Sequence, residues 1–159
     1  MEAKLYYNGE LIKEDSVISF TDSYFYLSNY SNYNTIYEGI TYKSSEAAFQ
    51  AQKTLDNKKK IKFSSIDPST AKDMGRKLKL RKDWNEVKDN IMYNILKAKF
   101  DNNPDIKELL LSTGDRELFE GNNWNDTYWG VIKVNNTLLG ENKLGKLLMK
   151  LRREYFIKS

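Results

Sequence analysis

Two hydrophobic periods divide this 159-residue chain, and the change between them near Tyr42 restricts the architectures open to it. Before the change, apolar residues lie either side of short turns. Residues 5–12 carry Asn8-Gly9 between two apolar runs, the signature of a hairpin, and residues 35–42 alternate around Glu38-Gly39. Residues 17–20 are a short strand candidate, and residues 24–30 read as an aromatic-rich loop. After the change, apolar residues recur three and four apart, as on a helix buried along one side. Strands first and helices afterwards predict an α+β fold: compact and mainly helical, with small N-terminal β-hairpins.

The helical part is punctuated by its own caps. Ser44 or Ser45 opens a helix through Lys53, with Glu46 near its positive end. Asp67-Pro68 is a cap followed by proline at the first helical position, and Asn103-Pro104 repeats that pattern before Thr113-Gly114 ends the segment. Asp83 with Glu86 resembles a capping box ahead of the longest helix, whose apolar positions are Trp84, Val87, Ile91, Ile95 and Ala98. Residues 117–121 read as a short strand or bend leading into a polar loop, 122–126. The last helix, 143–155, carries a stripe of Leu144, Leu147, Leu148 and Leu151. No repeat or proline-rich linker interrupts the chain, so residues 1–159 read as a single domain, with 1–22 a candidate N-terminal extension.

The composition contains no histidine and no cysteine, which removes the commonest general base, the commonest zinc ligand and every thiolate nucleophile. Any proton transfer or covalent chemistry must then use carboxylates, amines and hydroxyls, and no metal or cofactor is implied. The net charge of +4 arises from 26 basic and 22 acidic residues, a mild excess suited to a phosphate-bearing ligand. Lys58-Lys59-Lys60 with Lys62 reads either as a solvated loop or helix end or as a phosphate patch. No apolar run reaches membrane-spanning length, and residues 1–4 lack the basic and apolar regions of a leader. A cytoplasmic location without membrane association is the expectation.

Five places carry chemical candidates. Glu46, Gln50 and Lys53 are spaced by four and three residues, so on a helix they share a face. Glu46 and Lys53 then lie roughly 10 Å apart along the axis, wide enough to flank a small ligand. A solvated helix side is the alternative. Residues 120–130 place Glu120, Asp126, Trp124 and Trp129 with Gly130 in a loop rich in Asn and Gly. Such a loop either grips a planar base or sugar or is a polar surface anchored by its tryptophans. Ser28-Asn29 offers short hydrogen-bonding groups among aromatics that serve either as stacking surfaces or as core. Arg76 reads as a phosphate grip or a surface ion pair, and Asn142 as a cap of the final helix or part of an anion site. No G-x-S-x-G, H-E-x-x-H or P-loop pattern occurs.

The order of these pieces resembles the NADAR superfamily of YbiA-like N-glycosidases. The resemblance begins with Leu27-Ser28-Asn29-Tyr30, then Gly39-Ile40-Thr41-Tyr42-Lys43-Ser44-Ser45-Glu46 and Gln50-Ala51-Gln52-Lys53. It continues through Gly75-Arg76, Arg81-Lys82-Asp83-Trp84, Met92, Lys99-Phe100, Leu110-Leu111-Ser112-Thr113-Gly114 and Glu120. It ends with Asp126, Trp129-Gly130, Asn142-Lys143-Leu144-Gly145 and Leu148-Met149, so it covers about residues 23–156.

The resemblance implies hydrolysis of an N-glycosidic bond between ribose C1 and an exocyclic amine. Two substrates are associated with the family: ADP-ribose attached to guanine in DNA or RNA, and phosphoribosylamino-pyrimidine intermediates of riboflavin synthesis. The first makes this chain a hydrolase that reverses the action of an ADP-ribosyltransferase toxin. A non-catalytic module binding ADP-ribose or a related nucleotide is the reading from another class. By the resemblance Lys53 is the nucleophile, forming a Schiff base with C1 once its pKa is lowered. Glu120 or Glu46 shuttles protons, and Asp126 binds ribose hydroxyls or orients the lysine. Trp84 and Trp129 wall the site, and Ser28, Asn29, Gln50, Arg76, Gly130 and Asn142 contact substrate. A water-only route, with carboxylates stabilising an oxocarbenium-like state, is the mechanistic alternative.

Overall fold

Asn8 and Gly9 both take positive φ, +51° and +80°, and turn β1 (Tyr6–Tyr7) back onto β2 (Glu10–Leu11) as an antiparallel pair. The same device, Glu38 at +48° and Gly39 at +83°, joins β3 (Thr35–Tyr37) to β4 (Ile40–Tyr42). The computed structural model describes residues 4–158. Residues 1–3, part of the stretch read as carrying no leader, and residue 159 lie outside the described residues. Helices dominate, with small antiparallel hairpins, so the chain is α+β as expected. Two compact units divide it: a split unit of Met1–Phe25 with Leu110–Ser159, and a central unit of Tyr26–Leu109.

In the split unit a four-stranded sheet runs in the order β2-β1-β6-β5. Its second half, β5 (Ile132–Val134) and β6 (Thr137–Leu139), is a hairpin that the sequence analysis did not predict. Its turn is Asn135-Asn136 rather than a pair containing glycine, and only Asn135 is at positive φ, +55°. β1 lies parallel to β6, a pairing that joins residues 6–7 to residues 137–138. The strand expected at residues 17–20 is reduced to a single bridge between Val17 and Leu118. Tyr7 and Ile12 pack against a core of Phe119, Val131 and Leu138, and the Tyr7 ring meets Phe119 edge-on at 5.1 Å. The final helix carries its apolar stripe inward through Leu144, Leu148 and Leu151.

The central unit is built around α1 (Ser45–Ala51). Ser44 caps it, its hydroxyl accepting from Ala47 N–H at 3.1 Å. All seven residues of α1 are buried. The helix ends at Ala51, so Lys53 stands in the turn that follows rather than on the helix as expected; its N–H donates to Gln50 O at 3.2 Å. The lysine run, read as a loop or helix end, forms α2 (Asn57–Lys62), capped by Asp56, and Lys60 is buried with its amine 3.9 Å from Glu38. α3 (Pro68–Lys77) starts on the predicted Asp67 cap, 2.7 Å from Thr70 N–H. α4 (Trp84–Asn102) starts at the predicted residue, but Asp83 caps nothing with its side chain. Arg81 claims that carboxylate through two bonds of 2.6 and 3.0 Å, a charge-assisted pair that outcompetes a neutral N–H. α5 (Pro104–Ser112) follows the second cap-plus-proline signal. The segment read as an aromatic loop is largely a 3₁₀ helix, Asp22–Leu27, that buries Tyr26 and Leu27.

α1 packs on both α3 and α4 through small residues: Ala47, Ala48 and Ala51 are fully buried, and so is Ala71. Gly75 completes the α1–α3 seam, because a Cβ there would collide with Gln50 Oε1 and come within 3.2 Å of Gln50 Cβ. Gln50 is 5% exposed, so its amide has no open space to swing into. Overpacking of this kind costs about 1–3 kcal/mol, more than the ~0.5–1 kcal/mol alanine gains over glycine in a helix. Gly75→Ala is therefore expected to lower the urea unfolding midpoint with an unchanged m-value.

Candidate functional site

Glu46 is the acid that α1 brings inside the central unit, 8% exposed on the first turn. Its N–H donates to Asn29 O at 3.0 Å. The Asn29 side chain is committed to the same seam: Oδ1 accepts from Ser45 Oγ at 2.9 Å, and Nδ2 donates to Met92 Sδ at 3.4 Å. Ser28 Oγ accepts from Tyr30 N–H at 3.1 Å, which turns Tyr30 back over the loop. Asn29 and Ser28 thus shape the seat of Glu46, whatever else they contact.

Lys53 is half-buried, and burial is the main reason its amine holds a proton less tightly than an ordinary lysine. Glu46 opposes that shift, while the positive charges of Arg76, Lys72 and Lys88 reinforce it. The Tyr30 phenol is displaced upward, first by burial and then by the Glu46 carboxylate. Its hydrogen bond with Ser69 and the charge of Arg76 pull the other way. Glu46 is therefore an electrostatic neighbour of both Lys53 and Tyr30. Arg76 is exposed and forms a 3.5 Å surface pair with Asp73. Trp84 is 6% exposed and lies tilted on Phe49 at 5.1 Å, part of the packing beneath α1.

Among the residues named from sequence, Glu46, Gln50, Lys53, Ser28, Asn29, Arg76 and Trp84 thus all belong to the central unit. Three contributors were missed. Tyr30 was read as a stacking surface or as core, and its tie to Glu46 is a tertiary matter. Lys72 stands four residues before Arg76 on α3, a spacing visible in the sequence. Lys88, on α4, carries no local signal.

The split unit holds the other candidates. Asn142, 1% exposed, braces the chain ahead of Glu120: Oδ1 accepts from Glu120 N–H at 3.0 Å, and Nδ2 donates to Leu118 O at 2.9 Å. Both ends of this amide are thus engaged with residues 118 and 120, and its backbone carbonyl accepts from Lys146 N–H at 2.9 Å at the start of the final helix. Asp126 Oδ1 accepts from Tyr128 N–H at 3.1 Å and Trp129 N–H at 2.9 Å, so the carboxylate shapes its own loop. Asn122 does likewise, accepting from Asp126 N–H at 3.0 Å and donating to Asp126 O at 2.8 Å. Trp129 is half-buried and meets Tyr128 edge-on at 4.8 Å. Gly130 is required where it stands: a Cβ would collide with Glu120 O and reach 2.7 Å from Asn122 Nδ2. Among the described residues, no group of three or more acids, histidines or cysteines is placed to hold a metal ion.

An amine that sheds its proton below the usual lysine range is a base or nucleophile, and the carboxylate beside it can carry protons. The signs follow from the neighbours. Arg76→Gln removes a cation, so the protonated amine is less penalised and Lys53 titrates at higher pH than in the parent. Glu46→Gln removes the stabilising anion, so Lys53 titrates lower still. NMR titration of the lysine side chains, with Lys53 assigned by substitution, reads both; shifts in the same direction would refute the arrangement.

Comparison with known proteins follows from this geometry. A family model described as NADAR domain matches residues 7–155. N-glycosidase YbiA of Escherichia coli is 37% identical over 152 residues, 92% of each chain. The NMR structure of the E. coli protein YbiA superimposes with a TM-score of 0.78, covering 92% of this chain and 89% of that one. An N-glycosidase of Nostoc punctiforme is 35% identical over 133 residues, 80% of this chain and 83% of its own. A riboflavin biosynthesis protein of Vibrio vulnificus is 32% identical over 132 residues, 81% of this chain and 35% of its own.

Proposed function

Because the chain belongs to the NADAR domain family, we propose that it is an N-glycosidase that cleaves ribose C1 from an exocyclic amine, with Lys53 as nucleophile. The observation that carries this reading is the half-buried Lys53 amine, held below its ordinary pKa among three cations with Glu46 at hand. In a glycosylamine the nitrogen lone pair opens the ring to a C1=N iminium, while the Lys53 ammonium passes its proton through the Glu46 carboxylate to the ring oxygen. Neutral Lys53 then adds to C1, a proton moves from the lysine nitrogen to the base nitrogen, and the C1–N bond breaks to release the base amine. The sugar is left as an imine on Lys53. Water then adds to C1 and expels the lysine, so the net change is hydrolysis and the ribose recloses. Glu120 and Asp126 enter the proposal on residue identity, as further acids for proton transfer and for binding ribose hydroxyls.

The substrate we favour is ADP-ribose on guanine in nucleic acid, so that the enzyme undoes the work of an ADP-ribosyltransferase. Charge supports this. The central unit holds 16 basic and 11 acidic residues, and the charges of Arg76, Lys72 and Lys88, which act on Lys53, would help to neutralise a diphosphate bound there. A second reading, a phosphoribosylamino-pyrimidine substrate, is favoured by the likeness to a riboflavin biosynthesis protein.

The protein is to be incubated with guanine-ADP-ribosylated DNA and, separately, with the phosphoribosylamino-pyrimidine, and the products read by mass spectrometry with and without borohydride. Release of ADP-ribose from the DNA with return of unmodified guanine in the strand, and a borohydride-trapped sugar on the peptide bearing Lys53, is the expected result. Lys53→Met is expected to abolish both signals. Glu46→Gln and Glu120→Gln are each expected to lower kcat by about 10²-fold, in the range general acid–base catalysis supplies. Hydrolysis without adduct would exclude the covalent route. Turnover of the pyrimidine alone, with a shallow salt response, would exclude the nucleic-acid substrate.

A further inference from the structure

Lys99, on α4, is fully buried, yet its ammonium has a full set of partners. It donates to Tyr26 O at 2.7 Å, Ser28 O at 3.0 Å and Ser31 Oγ at 3.1 Å. Ser31 Oγ in turn donates to Ser28 O at 2.7 Å, and the rings of Phe100 and Tyr33 flank the amine at 5.4 and 6.0 Å. The chain at residues 26–31 is thus folded around a cation. A buried ammonium costs several kcal/mol of desolvation, and an apolar chain of similar length would avoid that cost. Stability alone does not call for a charge here. What the ammonium supplies, and an apolar side chain cannot, is three donors diverging from one point, which tie the carbonyls of residues 26 and 28 and the Ser31 hydroxyl together. The loop so tied delivers two groups to the site: the Asn29 carbonyl that receives Glu46 N–H at 3.0 Å, and Tyr30.

We propose that Lys99 is a positioning residue for the reaction: it holds residues 26–31 in the form that seats Glu46 and Tyr30 beside Lys53. The proposal rests on the Lys53–Glu46 reading above and assigns Lys99 no contact with substrate. Its action runs through the loop to the first turn of α1. The charged and titratable groups facing Lys53 are Glu46 from α1, Lys72 and Arg76 from α3, and Lys88 from α4. Loosening the loop frees Glu46 from that set and leaves the cations in place.

The test compares Lys99→Met with the parent by NMR titration of Lys53, which needs no substrate, and by steady-state kinetics. Lys53 is expected to titrate lower than in the parent, because the opposing Glu46 charge has moved away. Misplacement of a catalytic group on the 1 Å scale lowers kcat by about 10- to 100-fold, and kcat is expected to fall by more than KM rises, because Lys99 itself touches no substrate in this proposal. A Lys99→Met protein that unfolds cooperatively and keeps both the Lys53 titration and kcat overturns the proposal. If Lys99→Met does not fold, Ser31→Ala decides: it keeps the cation, removes one acceptor, and should move the Lys53 titration in the same direction by less. An unmoved titration there overturns the proposal equally. Should the parent hydrolyse neither substrate while Lys53 still responds to Lys99→Met, the glycosidase reading fails and the positioning inference stands.

Discussion

Complete burial of a short polar helix is the constraint on which the central unit depends. Every residue of α1 is inside, and the seven include a serine, a glutamate and a glutamine. Buried polar groups call for partners, so the helix dictates much of its surroundings, even though Gln50 Oε1 is buried without a hydrogen bond. Ser44 must cap it, Asn29 must receive Ser45 and the Glu46 N–H, and α3 must approach with a glycine where the Gln50 side chain lies. The alanines that allow this approach are also what make room for polar groups at all. A helix with leucines at 47, 48 and 51 would bury more apolar surface and stand too far from α3 for Gly75 to matter.

That packing converts composition into chemistry. Without histidine, a side chain that changes charge near neutrality has to be made from one that ordinarily does not. Lys53 is displaced in that direction by partial burial and by the cations on α3 and α4. The turn placing Lys53 just beyond α1, rather than on it, bears on this. On a continued helix the residue would extend the same buried face, whereas the turn lets Arg81 N–H bond Lys53 O at 2.8 Å and fixes the backbone from which the amine departs.

Local signals were legible wherever a few neighbouring residues decide the outcome. Asn8-Gly9, Glu38-Gly39, Ser44, Asp67-Pro68 and Asn103-Pro104 each mark the boundary predicted for them, because a positive φ or an orphan N–H is a short-range demand. The place of Glu46 on the first turn of α1 was legible for the same reason, whereas the turn that carries Lys53 off the helix was not. What sequence withheld involves partners distant along the chain. The β5–β6 hairpin turns on two asparagines without the usual glycine, and its parallel pairing with β1 spans the length of the split unit. Asp83 reads as a cap until Arg81 reaches it, where a charged bond displaces a neutral local one. The reach of the Asn142 amide to Leu118 and Glu120 carries no local signal either. Trp84, one of the apolar positions of the longest helix, lies against Phe49, a partner that helical spacing alone does not name.

The electrostatics of Glu46 show why its burial matters as much as its identity. Its carboxylate raises the proton affinity of both Tyr30 and Lys53, yet the two groups end on opposite sides of their ordinary values. The difference lies in which form of each group is charged. Burial penalises the phenolate and the ammonium alike, so it adds to the effect of Glu46 on tyrosine and opposes it on lysine. On Lys53 desolvation outweighs the carboxylate, and the neighbouring cations add to it; on Tyr30 burial and carboxylate act together. One acid in one environment therefore keeps the phenol protonated while its amine neighbour is readied to lose a proton. Moved to solvent, the same three residues would lose that ordering, since water would stabilise phenolate and ammonium alike and screen Glu46 from both.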